Sequence, residues 1–543
     1  MKRSAILFFV ILMLAAAVWY SFYSTVFTHL LLNDAMDYAS IGRNVSRGDG
    51  FISSYITPLG LAAREGLPHP DLWRAPLWPW LLSLFIGLLG ATDQAVAIAT
   101  GCFFILGAGL VFLLGREMFG RTVGFLSAVI FIFSSQNLAN SVSGMTETLA
   151  VFMMLLSVYL VVRRRAQTAW GDILGGAVLG LFYLARYNAL LFLPFFAFLV
   201  WYKRSESAGR QMFGRYHLRN REGPGAWPVV RYLAACMVVI SPWLIRNYLL
   251  MGSPLYSLQK FEPAMFTATY PVYSLYMRPE LIDVAAFVRT HPWEIWAKVA
   301  GGWSEFLTGL FNPANTGVSP YLFGLFLVSL FLPLAYSAGR TVEETQHKGV
   351  RPLLAACFIT QLAALLVIHF IYRLFFSFMP FYIIFGTAAM VWLLTRLAER
   401  LQAKKNGFVL VFAAALTGLF IATNLPVWNP VNQENIPINV LRESVKGVTD
   451  MSTRQELIIS NDGHLLAWYG DRYAAKLPYS VDMIPEMEKL APLKFIYLSS
   501  RISWNLPEAD KSWAKVFWSK PKEVYGYKLA VVYPDGSVVY RKN

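Results

Sequence analysis

Cysteine is scarce in this 543-residue chain: Cys102, Cys236 and Cys357 all lie inside apolar blocks, so neither a disulfide framework nor a thiolate metal cluster is available. Charge is scarce too. Asp, Glu, Lys and Arg make up 15% of residues, against about 25% in an ordinary soluble domain, which excludes a soluble or disordered protein. No Walker loop, His-x-x-x-His pair or nucleophile elbow is present. What the chain does have is 56% hydrophobic residues and a mean hydropathy of +0.47, arranged in blocks that only lipid can solvate. This is the composition of a polytopic membrane protein. Basic residues outnumber acidic ones, 47 to 32, for a net charge of +15. They sit mostly in short stretches between apolar blocks, as the positive-inside bias requires, so the expected surroundings are membrane lipids and not nucleic acid.

The first apolar block, Ala5 to Leu32 behind Lys2 and Arg3, is too long for a signal-peptide core and reads as an uncleaved span. The stretch from Ala75 to Gly90 is short for a span and carries Pro76 and Pro79. If it crossed, the basic segments Arg116–Arg121 and Arg163–Arg165 would fall on the disfavoured sides, so it is expected to lie flat at the outer interface. The blocks near 94–115, 122–138, 147–162, 171–185, 188–202, 229–245, 319–338, 353–371, 375–395 and 408–425 then alternate. Basic connectors Lys203–Arg231, Arg340–Arg351 and Arg396–Lys405 all land in the cytoplasm. The expectation is a mainly α transmembrane bundle of about eleven spans over 1–425, with outer loops 33–93 and 246–318. The pair 171–185 and 188–202 reads equally as one kinked helix. Glycines 171, 175, 176 and 180 point to close helix packing rather than a phosphate loop. Residues 426–543 change composition: short β-like runs at Glu456–Ser460, Lys494–Leu498 and Tyr527–Tyr533, with a Pro534-Asp-Gly-Ser537 hairpin turn, predict a small extracytoplasmic α/β domain.

Ionisable residues near membrane depth are costly and mark functional candidates. Asp34 and Asp37 stand where the first span exits, three apart on one helical face, suited to taking a proton or binding a cation; a solvated helix end explains one such acid, not two. Glu147 opens the span 147–162 on the same side as Asp34, where an N-terminal acid is also favoured by the helix dipole. Arg186, Arg246 and Arg373 lie at outer ends, against the positive-inside bias. Snorkelling to lipid phosphate accounts for each singly. Three flanked by aromatics resemble a phosphate pocket, because guanidinium forks match phosphate oxygens.

Asn33-Asp34 with Tyr38-Ala39 and Gly42-Arg43, Trp73-Arg-Ala-Pro-Leu-Trp-Pro79, Gly115-Arg-Glu-Met-Phe-Gly-Arg121, Thr146-Glu147, Pro242-Trp-Leu-Ile-Arg-Asn247, and Tyr372-Arg373 followed by Pro380 together resemble the GT-C superfamily of glycosyltransferases. The nearest likeness is to aminoarabinose transferase and protein O-mannosyltransferase. The resemblance implies inverting transfer of a sugar from a polyprenyl-phosphate carrier to a glycolipid, polysaccharide or protein at the outer face of a bacterial inner membrane. It maps the base or acceptor-positioning acid to Asp34 and a second acid to Glu147, with Asp37 beside them. Arg373, Arg186, Arg246, Tyr372 and Arg74 fall to the donor. In some relatives such carboxylates hold a divalent metal, which would fall here to Asp34 and Glu147. The family acid immediately before the interfacial proline is missing, since Arg74 and Ala75 occupy that place and Asp71 stands three residues before Arg74. A transporter or flippase is the rival reading, but no inverted repeat or paired broken helices are visible, and all the large loops fall on one side.

Overall fold

The computed structural model describes residues 2–163, 168–213, 225–332, 349–402, 404–424, 438–504 and 508–542. Among the described residues, five helices are long and apolar enough to cross a membrane: Ser4–Val26, Asp93–Phe119, Trp227–Met251, Val350–Ile368 and Tyr372–Arg400. Six shorter apolar helices accompany them, including Leu77–Leu89, Glu147–Val162 and Ala169–Ala185. The helix Asp93–Phe119 begins on a Thr92 cap, whose side chain accepts from the Ala95 N–H, and ends at Gly120. At about 1.5 Å per residue its length exceeds the roughly 30 Å hydrocarbon core.

Close approach carries much of the packing. Helix Ala169–Ala185 lies against Trp227–Met251, and a Cβ on Gly176 would stand 1.9 Å from the Tyr232 carbonyl oxygen. Of the glycines expected to pack helices, Gly175, Gly176 and Gly180 do so. Residues 171–202 are two helices, Ala169–Ala185 and Leu193–Phe213, separated by a 3-10 turn at Tyr187–Phe192. The proline-bearing stretch forms Leu77–Leu89, only 13 residues long. Its buried Trp78, Leu82 and Ile86 pack on the helix Asn33–Ser46, whose Gly42 leaves 2.9 Å between a would-be Cβ and Leu82. This contact pins the first-loop helix, with Asp34 in its opening turn, to the bundle.

A seven-stranded sheet stands at one end. Its strands are β1 (Tyr55–Ile56), β2 (Leu457–Ser460), β3 (Tyr473–Lys476), β4 (Leu493–Leu498), β5 (Glu523–Val524), β6 (Tyr527–Val532) and β7 (Val538–Lys542), in the order β1-β3-β2-β4-β7-β6-β5. Strands β1 to β4 are mutually parallel and β4 to β7 antiparallel. Both faces of β2 and β4 are buried, as parallel strands require: Ile458, Phe495 and Tyr497 join the bundle core, whereas Leu457, Ile459 and Ile496 join a core with Trp513 and Phe517. The β6–β7 turn is the expected hairpin, with Gly536 at φ +88°. Sequence reading missed β1, which comes from the first loop and adds an edge to the C-terminal sheet. Arg43 reinforces this joint, donating to the Trp468 and Ala467 carbonyls and pairing with Asp471 at 2.9 Å. The expected boundary at Leu425–Asn432, residues 214–224 of the connector Lys203–Arg231 and residues 340–348 of Arg340–Arg351 lie outside the described residues.

Candidate active site

A cavity of about 520 Å³ opens where the first-loop helix, the start of Glu147–Val162, the turn after Ala185, the loop after Ser257 and the C-terminal sheet converge. Asp34, Glu147, Arg74, Arg186 and Arg373 all line it. Three of its walls differ in chemistry. One is ionic, one is apolar, formed by Leu191, Ala364, Leu365, Ile368 and Leu374, and one is aromatic and polar, formed by Tyr55, Trp73, Tyr273, Tyr276, Gln259 and Glu262.

The Asp34 carboxylate is clasped from both sides. Arg74 donates to Oδ1 at 2.8 Å and Arg373 to Oδ2 at 2.7 Å. Burial alone would push the Asp34 carboxyl up, but the two guanidiniums outweigh it and hold the group well below the usual carboxylate range. Arg74 is itself fixed: its ring neighbours are Tyr38 at 4.8 Å and Trp73 at 4.6 Å, and its Nε donates to Asp37 at 2.6 Å. Asp71, whose role the family pattern left open, accepts from the Trp73 and Arg74 backbone N–H groups and shapes the turn that presents Arg74.

The second cluster is tighter. Arg186 donates to Glu147 Oε1 at 2.7 Å and to Thr146 Oγ1 at 2.9 and 3.0 Å. Glu147 Oε2 and Arg186 Nη1 are buried without a hydrogen-bond partner among the described residues.

Three expected site residues lie off the cavity lining. Asp37 is buried behind Arg74, and burial pushes its carboxyl up despite that partner. Arg246 points away, donating to the Asp71 carbonyl at 2.7 Å and lying over Trp243 at 4.5 Å, contacts that anchor the loop. Tyr372 turns its hydroxyl to the Glu305 and Phe306 carbonyls. Depth along a helix was readable from the sequence, but the direction in which each side chain leaves it was not. Missed altogether were Gln361, Glu262, His464 and Lys476, which also line the cavity. His464 stacks on Tyr55 at 3.5 Å, so the sheet closes part of the roof.

Arginine occupies both oxygens of Asp34 and Oε1 of Glu147, leaving the buried Glu147 Oε2 as the one unpartnered oxygen of the two carboxylates, and among the described residues no group of three His, Cys, Asp or Glu could hold a metal.

Residues 69–245, which contain Arg74, Glu147 and Arg186, match a family model described as dolichyl-phosphate-mannose-protein mannosyltransferase. Among solved structures, the oligosaccharyltransferase of Archaeoglobus fulgidus in complex with zinc and sulfate shares 13% identity over 98% of this chain and 73% of its own, with a TM-score of 0.51. ArnT from Cupriavidus metallidurans bound to undecaprenyl phosphate shares 12% identity over 98% of this chain and 97% of its own, with a TM-score of 0.46. No curated protein matches. Family match and shared fold together bear out the resemblance read in the sequence, to the membrane glycosyltransferases of the GT-C superfamily.

Proposed function

We propose that this protein moves a sugar from a polyprenyl-phosphate carrier to a hydroxyl acceptor at the outer face of the membrane, with inversion at the anomeric carbon. The observation that carries the reading is one cavity holding a carboxylate clasped by two arginines, beside an apolar wall and an aromatic one. The apolar wall suits the prenyl chain, the arginines its phosphate, and the aromatic wall the sugar. The positive-inside bias of the connectors supports a cytoplasmic N-terminus and an extracytoplasmic sheet. In this reading residues 1–425 form the membrane unit and 426–543 the outer domain, and the chain resides in a bacterial inner membrane.

In the reaction, the acceptor oxygen attacks the anomeric carbon as the bond from that carbon to the phosphate oxygen breaks, and the acceptor proton passes to Asp34. The carrier leaves with one more negative charge than the diester it came from, which Arg373 and Arg74 stabilise. An Asp34 held ionised by two cations is a poor base. Donor phosphate competing for Arg373 loosens that grip and raises the proton affinity of Asp34 only when donor is present. Glu147 and Arg186 act as a fixed pair that orients the acceptor side. No step is assigned to a metal.

The test is transfer from a radiolabelled polyprenyl-phosphate sugar by purified protein supplied with membrane extract, with the anomeric configuration of the product read by NMR. Absence of transfer by the parent from mannose-, glucose- and arabinose-bearing carriers, all with intact carrier binding, overturns the proposal.

A further inference from the structure

The loop after the helix Trp227–Met251 places an acid in the cavity that the ionic clusters do not use. Glu262 belongs to the 3-10 turn Leu258–Ala264. Its Oε1 accepts from the Tyr276 hydroxyl at 3.0 Å. The nearest cation does not pair with it: Lys298 Nζ donates instead to the Glu262 and Pro263 backbone carbonyls, at 2.8 and 3.2 Å. Lys298 thus fixes the loop and leaves the carboxyl to the cavity, where Glu262 forms no ion pair among the described residues.

We propose that Glu262 is a specificity-determining residue, the hydroxyl-binding carboxyl for the sugar carried by the donor. This rests on the reading of the cavity as a polyprenyl-phosphate sugar site. Two observations narrow the ligand. Glu262 lies within electrostatic reach of Arg74 and Arg373, so it sits beside the place assigned to the phosphate, and the group bonded to that phosphate is the sugar. Its wall is aromatic: the half-buried Trp73 and Tyr273 rings stand against the fully buried Tyr276, at 4.5 and 6.0 Å. Such rings cover the apolar faces of a pyranose or furanose, and one carboxyl supplies the directional contact to its hydroxyls. Burial pushes the Glu262 carboxyl up to about 7, so near neutrality a large share is protonated and both donates and accepts, as a sugar hydroxyl does.

The experiment compares binding of decaprenyl methyl phosphate, a sugar-free diester of the donor's own charge that serves as the bare carrier, with decaprenyl phosphate bearing mannose, glucose or arabinose, for the parent, Glu262→Gln, Glu262→Ala and Glu262→Met. The last keeps the side-chain volume should the cavity-forming variant not fold. In the parent, at least one sugar tightens binding over the bare carrier by about tenfold. Glu262→Ala and Glu262→Met lose most of that increment while binding the bare carrier as the parent does, and Glu262→Gln keeps much of it. An increment retained in Glu262→Met, or no increment for any of the three sugars in the parent, overturns the assignment of Glu262 alone. A parent that binds neither bare nor sugar-bearing carrier overturns the function proposed above as well.

Discussion

Asp34 and Glu147 are each held by arginine in one cavity, yet the two clusters differ in how much of that arginine stays open. Arg373 keeps 45% of its side chain accessible and Asp34 24%, whereas Arg186 and Glu147 keep 8% and 4%. An accessible ion pair exchanges partners cheaply, because water already competes for it. A buried one cannot lose a partner without leaving an uncompensated charge. On the function proposed, the same residue types therefore do different work: the Asp34 clasp opens for an anion, and the Glu147 pair stays closed and holds geometry.

The largest effect expected from this contrast is on turnover. Asp34→Asn removes the proton acceptor and leaves Arg74 and Arg373 in place, so transfer falls about 10²- to 10⁴-fold while the thermal midpoint stays close to the parent's. A variant retaining more than a tenth of parental turnover removes Asp34 from the chemistry.

Stability separates the clusters next. Glu147→Gln leaves Arg186 buried without its counter-charge, a loss of about 3 to 5 kcal/mol, whereas Arg373→Ala exposes a pair already open to solvent and costs less than about 1 kcal/mol. Thermal unfolding of the two variants in one detergent decides this. Equal destabilisation would erase the distinction between an opening clasp and a closed pair.

Arg373→Lys probes the open clasp more finely. The lysine keeps the charge and loses the planar fork, so donor KM rises roughly ten- to a hundredfold with a smaller change in kcat. Arg186→Lys should instead lower kcat with little change in donor KM, because Arg186 acts through Glu147. Reversal of that pattern between the two lysine variants would exchange the roles assigned to them.

Why Asp34, Glu147, Arg186 and Arg373 were legible in the sequence follows from cost: charge at membrane depth is expensive, so it stands out against an apolar background, whereas Arg74 entered only with the family resemblance. Arg246 met the same criterion and proved to be a loop anchor, since depth says nothing about which way a side chain turns. Glu262 was invisible for the opposite reason. It lies in an irregular, aromatic-rich loop with no periodicity, and only the fold brings that loop over the cavity. The same holds for the sheet. Strands β2, β4, β6 and β7 carried alternating or β-branched runs, but two-residue β1 has no pattern to read and is defined by its partner β3.

The smallest effect, and the one that reaches the third wall of the cavity, is a pH dependence of stability. An unfolded Glu titrates near 4.3, and burial raises the Glu262 carboxyl to about 7, with Lys298, Arg74 and Arg373 opposing that rise. The folded state therefore binds the proton more tightly than the unfolded state. Stability from this group is fully present below about pH 4 and is lost as pH rises through 7. The Asp34 clasp has the opposite sign: its contribution is present above the unfolded Asp value near 3.9 and fades only in stronger acid. Between pH 5.5 and 8 the two regions thus separate cleanly. Across that window Glu262 should cost the parent stability on the order of 1 kcal/mol, beside a loss of the same sign from Asp37, whose carboxyl burial also raises; Glu262→Gln, which has no proton to lose, should remove the Glu262 share, whereas Asp34→Asn should leave that share in place. A slope that Glu262→Gln leaves unchanged would mean that the acid of the aromatic wall is already ionised at pH 5.5, and that wall would then present a fixed negative charge to its ligand.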